Sequence, residues 1–318
     1  MAAWSELVNE MSKFGNNFPE VNKYINSVLD ESLNRISKSR DERNVIFYAS
    51  SFLQKPQLDP SELQITFEEI NGLMSVTHGM DCTKGLTLIL HTPGGVTNAT
   101  ETIIDYIHSK FKYVEVVIPT FAMSAGTIIA LSADKIIMGR QSQLGPIDPQ
   151  MIMNGRAFSA VSVKAQFEMA KRDINEDIKN AHVWALILGG MPPGILVEAQ
   201  HAADYSEEIV RSWLTKKGYN NAASIAQYFN SPEIHKNHGK RINKEDAKAI
   251  GLHIENLEDN QEFQDAVLTA YHAITIIFEK SPATKMIASN NSNKRWVKNL
   301  VVNNMIPNIP LPPNFLHQ

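Results

Sequence analysis

Residues 86–150 read LTLILHTPGGVTNATETIIDYIHSKFKYVEVVIPTFAMSAGTIIALSADKIIMGRQSQLGPIDPQ. Two apolar runs, Leu86–His91 and residues 113–119, each end in a turn of small residues and pass into a helical pattern. The first turn is Thr92-Pro93-Gly94-Gly95; the second is Ala122-Met123-Ser124-Ala125-Gly126-Thr127. Lys135 to Met138 forms a third short run. Strands alternating with helices of ten to fifteen residues predict right-handed β-α-β crossovers and a mainly parallel sheet. A paired-glycine turn about thirty positions before a serine at a helix mouth can build an oxyanion hole that faces a nucleophile.

Upstream, residues 1–43 show helical periodicity through Val21, Tyr24, Ile25, Val28, Leu29, Leu33 and Ile36. Residues 43–52 read as a strand and 65–76 as a helix. Downstream, the turn Leu144-Gly145-Pro146-Ile147-Asp148-Pro149-Gln150 is stiffened by two prolines. Ser159 is the expected cap of one long helix reaching about residue 188. Helices follow at 195–217 and 222–229, then a polar loop at 235–241, a short helix from Asn243 and an edge strand at 252–254. Residues 261–280 are again helical. From Asn290 the chain reads as a polar, proline-bearing tail with Pro307, Pro310, Pro312 and Pro313. The expected division is a helical N-terminal segment (1–43), a catalytic domain (44–256), and a C-terminal helix and tail (257–318).

Composition narrows the function. Of 318 residues, 43% are apolar and 20% charged, as in ordinary globular proteins, and the formal net charge of −4 gives no footprint for nucleic acid. Cys82 is the sole cysteine, so no internal disulfide forms and a reducing, cytoplasmic setting is expected. The N-terminus lacks the basic and apolar regions of a signal peptide. Residues 113–133 carry one charge, Glu115, and are long enough to suggest a membrane span. Pro119, Gly126 and the β-branched first half favour a buried strand, turn and helix, so no integral membrane segment is expected.

Four motifs stand in order: T-P-G-G (92–95), A-M-S-A-G-T (122–127), L-G-P-I-D-P-Q (144–150) and E-D-A-K-A-I-G-L (245–252). Any one is common; together, over residues 80–254, they resemble the serine dehydrogenase proteinase family. That family is related to signal peptide peptidase A and, more distantly, to the proteolytic subunit of the Clp protease and to the crotonases. The resemblance implies an α/β fold, a Clp/crotonase-like spiral of β-β-α units with helical additions at both ends. It places the nucleophile at Ser124 and the oxyanion hole at the backbone N–H groups of Gly94, Gly95, Val96 and Ala125. A peptide or unfolded protein would pair beside the glycine turn as an added strand. No G-x-G-x-x-G turn supports dehydrogenase chemistry, no G-x-x-x-x-G-K-[ST] motif supplies an ATPase, and no cofactor or metal is implied.

The general base is less defined. Where the Clp subunit has a histidine, residues 145–150 offer Asp148. Lys164, about forty positions beyond Ser124, matches relatives with a lysine base and makes a Ser–Lys type the expectation. His238 is the other candidate, with Asp148 as the group that orients it. His91 is expected to pack and His201 to sit on a surface with Asp204. The expected activity is a serine endopeptidase acting as a homo-oligomer, through residues 159–188 or the apolar face of 266–278. A catalytically inactive Clp-fold scaffold and a crotonase-like acyl-CoA enzyme are the alternatives.

Overall fold

The buried runs Asn44–Ser50 and Leu86–His91 lie side by side as parallel strands, because a strand apolar on both faces needs a helical layer on each side. In the computed structural model, which describes residues 4–153, 155–235 and 237–300, the elements run α1 (Trp4–Ser12), α2 (Phe18–Ser39), β1 (Asn44–Ser50), α3 (Glu69–Thr77), β2 (Leu86–His91), α4 (Thr97–Lys110), β3 (Val114–Ile118), β4 (Phe121–Ala122), α5 (Ala125–Leu131), β5 (Lys135–Met138) and β6 (Gln143–Leu144). A hairpin of β7 (Gln150–Met153) and β8 (Arg156–Ser159) leads into α6 (Ala160–Glu176), α7 (Ala181–Leu188), α8 (Ile195–Lys216), α9 (Ala222–Phe229), α10 (Pro232–His235) and α11 (Lys244–Ala249). β9 (Ile254–Asn256), α12 (Gln261–Lys280), β10 (Ala283–Ser289) and β11 (Arg295–Asn299) follow.

The central sheet has the order β11-β10-β1-β2-β3-β5-β9. From β1 to β9 all pairs are parallel, while β10 and β11 add an antiparallel margin. Alternate residues of each strand face opposite layers. Ile46, Tyr48, Leu88, Leu90, Val116 and Ile136 meet α3, α4, α5, α8 and α9 on one side. Val45, Phe47, Ile89, Val117 and Ile137 meet α1, α2 and α12 on the other. Short second strands β4 and β6 pair in parallel above the main sheet, which gives the expected β-β-α units.

Residues 113–133 resolve into β3, β4 and α5, and among the described residues no helix is long and apolar enough to cross a membrane. Four expectations need correction. The single helix from 159 to 188 is α6 and α7 with a short 3-10 turn between them, where Asp177 leaves the helical conformation and its carboxylate caps Lys179 N–H. Ser159 precedes α6 without making a side-chain cap. The apolar face of α12 is no oligomer surface: Ala266, Val267, Ala270, Ile274 and Phe278 are buried in the layer formed with α2. The chain from Asn290 is not all tail, since β11 pairs with β10; residues 301–318 lie outside the described residues.

Candidate active site

The carboxyl ends of β2, β3 and β5 point the same way, so the segments that follow them gather at one edge of the sheet, where open α/β folds bind ligands. After β2 come Thr92 to Val96; after β3 and β4 comes Ser124; after β5 and β6 come Gly145 to Asp148.

Ser124 stands before α5 with φ 50° and ψ −118°, a backbone conformation rare for a residue with a side chain. Holding it there costs about 1–3 kcal/mol, which the surrounding buried helix and strands must offset. The hydroxyl makes no capping bond to α5, so the ordinary use of a serine at this position does not apply. Gly94, with φ +100°, packs directly on it: a Cβ there would lie 2.6 Å from Ser124 Cβ and 2.7 Å from Met123 O. Gly95 is equally constrained, because its Cβ would sit 2.3 Å from Ile65 O.

Ile65 forms a parallel bridge around Gly95, its N–H bonding Gly94 O at 2.8 Å and its carbonyl accepting Val96 N–H at 2.9 Å. In that pattern the bracketed residue turns its own N–H and C=O to the other side. Gly95 N–H therefore faces away from Ile65, and among the described residues neither it nor Ala125 N–H donates to a protein acceptor. Val96 N–H, expected in the oxyanion hole, is spent on Ile65. Gly94 N–H is taken by Thr92 Oγ1 at 3.2 Å. The donors left for an oxyanion are those of Gly95 and Ala125.

Asp148 is 1% exposed, and its Oδ1 lies 2.7 Å from His238 Nδ1. Gln150 Nε2 donates to the other carboxylate oxygen at 2.9 Å. With Nδ1–H directed at Asp148, a neutral His238 has its lone pair on Nε2, the tautomer a general base requires. The His238 loop is tied back twice. Ile242 and Leu144 exchange backbone bonds at 2.9 Å, and Arg241 lies over the Phe121 ring at 5.2 Å. Both anchors belong to β4 and β6, the strands that lead to Ser124 and Asp148.

Lys164 is half-buried on α6 and lines a groove of about 280 Å³ with Glu168 of the same helix and with Gln200 and His201 of the facing α8. Among the described residues no hydrogen bond joins the Ser124 hydroxyl to either candidate base: Lys164 lines its groove and His238 bonds Asp148. His91 packs as expected, between Phe52 and Tyr271, with Nδ1 2.8 Å from Thr120 Oγ1. Burial pushes its imidazole down to about 3, so it stays neutral. His235 is bonded to Tyr228 O at 2.6 Å.

Two uncharacterized proteins of Methanocaldococcus jannaschii are 40% and 46% identical to this chain over 87 residues, which is 27% of this chain and 30% of each relative. The match thus spans less than a third of those relatives. Among solved structures, a serine-to-alanine mutant of the 1510-N membrane-bound stomatin-specific protease is similar with a TM-score of 0.40 at 20% identity, over 64% of this chain and 79% of that one. A lysine-to-alanine mutant of the same protease, in complex with a substrate peptide, gives 0.41 at 20% identity, over 64% and 75%. The profile of one family matches residues 64–262, from the Ile65 bracket through both candidate bases to the start of α12, and by that match the chain belongs to the ClpP-like SDH-type serine proteinases.

Proposed function

We propose that this protein is a serine peptidase that cleaves peptide bonds through an acyl-enzyme on Ser124. The observation that carries the reading is the approach of Gly94 to a strained, uncapped Ser124, with two unused backbone donors beside it. An extended peptide pairs with the open edge of Gly95, opposite Ile65. His238 Nε2 takes the Ser124 proton as Oγ attacks the carbonyl carbon, and Asp148 stabilises the imidazolium through Nδ1–H. The carbonyl oxygen becomes an oxyanion that Gly95 N–H and Ala125 N–H receive. The imidazolium then protonates the leaving amine, and water, deprotonated by the same imidazole, releases the acyl group.

A second reading keeps Lys164 as the base. Its support is that α6 springs from the Asp148 turn, with Ala160 N–H bonded to Pro149 O at 2.8 Å, so Lys164 lies about one turn from that anchor. Turnover of an unfolded protein substrate by the wild type, His238→Ala and Lys164→Ala separates the two. Loss of about 100-fold or more in kcat is expected for His238→Ala, with Lys164→Ala within a few-fold of wild type. The reverse pattern assigns the base to Lys164. A wild type with no turnover at all returns the protein to the scaffold reading.

A homo-oligomer is part of the proposal. Ile152, Phe158, Ile178 and Leu186 are exposed on the β7–α7 excursion, and Leu186 is 82% exposed on a helix without buried residues. A second copy of the chain is the proposed cover for this apolar surface.

A further inference from the structure

An ion pair lies fully buried behind the glycine turn. Lys285 of β10 is 0% exposed and Glu69 of α3 is 1% exposed, and the ammonium contacts Glu69 Oε1. Nothing in the proposed peptide-cleavage chemistry uses either group. A buried pair of this kind contributes little net stability, because the desolvation of both charges offsets most of their attraction. What it can supply is geometry.

Both charges are spent on the segment that brackets Gly95. Lys285 Nζ donates to Gln64 O at 2.9 Å. Glu69 Oε2 accepts Thr66 N–H at 2.7 Å and Thr66 Oγ1 at 3.0 Å. Between these two clamped residues lies Ile65, whose N–H and C=O hold Gly94 and Val96 and so turn Gly95 N–H outward. A second arm runs through Tyr48. Its hydroxyl lies 3.5 Å from Glu69 Oε1 and faces Thr92, whose Oγ1 takes Gly94 N–H. Burial holds the phenol well above its ordinary range, so it remains a neutral O–H.

We infer that Lys285 and Glu69 are positioning residues for the oxyanion turn, fixing the aim of Gly95 N–H through the segment Gln64 to Thr66 and through Tyr48 and Thr92. The inference rests on the peptidase reading of Ser124 and Gly95. An oxyanion donor works only if its direction is set before the charge develops, and a displacement of about 1 Å can cost about 100-fold in rate. A hydrogen-bonded ion pair holds direction better than apolar packing does, because its bonds have preferred angles.

The test is the double variant Glu69→Leu with Lys285→Met, which leaves neither charge unpaired. Hydrogen–deuterium exchange of the peptide spanning residues 92–97 should rise about tenfold, while exchange in α12 stays at the wild-type rate. The kcat should fall by about 100-fold, with KM within about twofold. Unchanged exchange at 92–97 overturns the inference, whatever the activity does. Unchanged kcat in a wild-type-active enzyme also overturns it. Thr92→Val covers a double variant that does not fold: it removes only the hydroxyl that takes Gly94 N–H. The same two changes are expected there, in smaller measure, and their absence likewise counts against the inference. Failure of the wild type to react at Ser124 speaks to the peptidase reading alone, since the exchange measurement needs no activity.

Discussion

Gly94 shows how little room the proposed nucleophile leaves. An alanine at that position would place its Cβ 2.6 Å from that of Ser124, in a backbone conformation with φ +100° that alanine resists. Gly94→Ala is expected to lower kcat/KM by about 100-fold or more, measured on a fluorogenic peptide, because Ser124 and the turn must part. Ser124 and the glycines were legible in the sequence because each is a local signal, a turn of small residues after an apolar run. Val96 as a donor was misread, since the Ile65 bracket that consumes its N–H comes from a distant segment. The pairing of Asp148 with His238 spans 90 positions, and only the fold brings them to 2.7 Å. His91 gives a prediction in pH. Its folded-state value is lowered to about 3 from 6.5, so below pH 6.5 the unfolded chain binds a proton that the folded chain refuses. Stability from this group is fully present above 6.5 and is lost as pH falls toward 3, at a limiting slope of about 1.4 kcal/mol per pH unit. Urea unfolding at pH 6 and pH 5 should show wild type losing about 1 kcal/mol more than His91→Gln over that interval; equal losses would remove His91 as the cause.

Among the elements, α12 and α7 behave oppositely although both look apolar in sequence. Phe278 on α12 is completely buried against the layer shared with α2, and Phe278→Ala is expected to cost about 3–5 kcal/mol in chemical unfolding. Leu186 on α7 is exposed, so Leu186→Ser should change monomer stability by less than about 0.5 kcal/mol. Periodicity identifies an apolar face on 266–278 and reads α7 as the end of one long helix, and it cannot say which face another helix already covers. The strand–turn–helix units from 86 to 138 were legible nearly to the residue, since buried parallel strands are short apolar runs between turn residues. The break between α6 and α7 was not, because an Ala-, Glu- and Lys-rich stretch reads as continuous helix until Asp177 is seen to cap Lys179 instead.

For the whole molecule, the sheet is closed on both faces by helices and the proposed chemistry is confined to the carboxyl ends of its parallel strands. The terminal segments belong to this architecture: α2 and α12 cover one face, and β10 brings Lys285 behind the glycine turn. That contribution could not be seen in the sequence, where Lys285 is one lysine among thirty basic residues. The exposed apolar excursion from β7 to α7 predicts association: sedimentation should show a defined oligomer for the wild type and a smaller species for Leu186→Ser, and a monomeric wild type would refute it. The central claim concerns one oxygen atom. Reaction of the protein with a fluorophosphonate, followed by peptide mass mapping, should give a single adduct on Ser124 in the wild type and none in Ser124→Ala. Equal labelling of the variant, or a wild type that takes up no probe, would contradict the account.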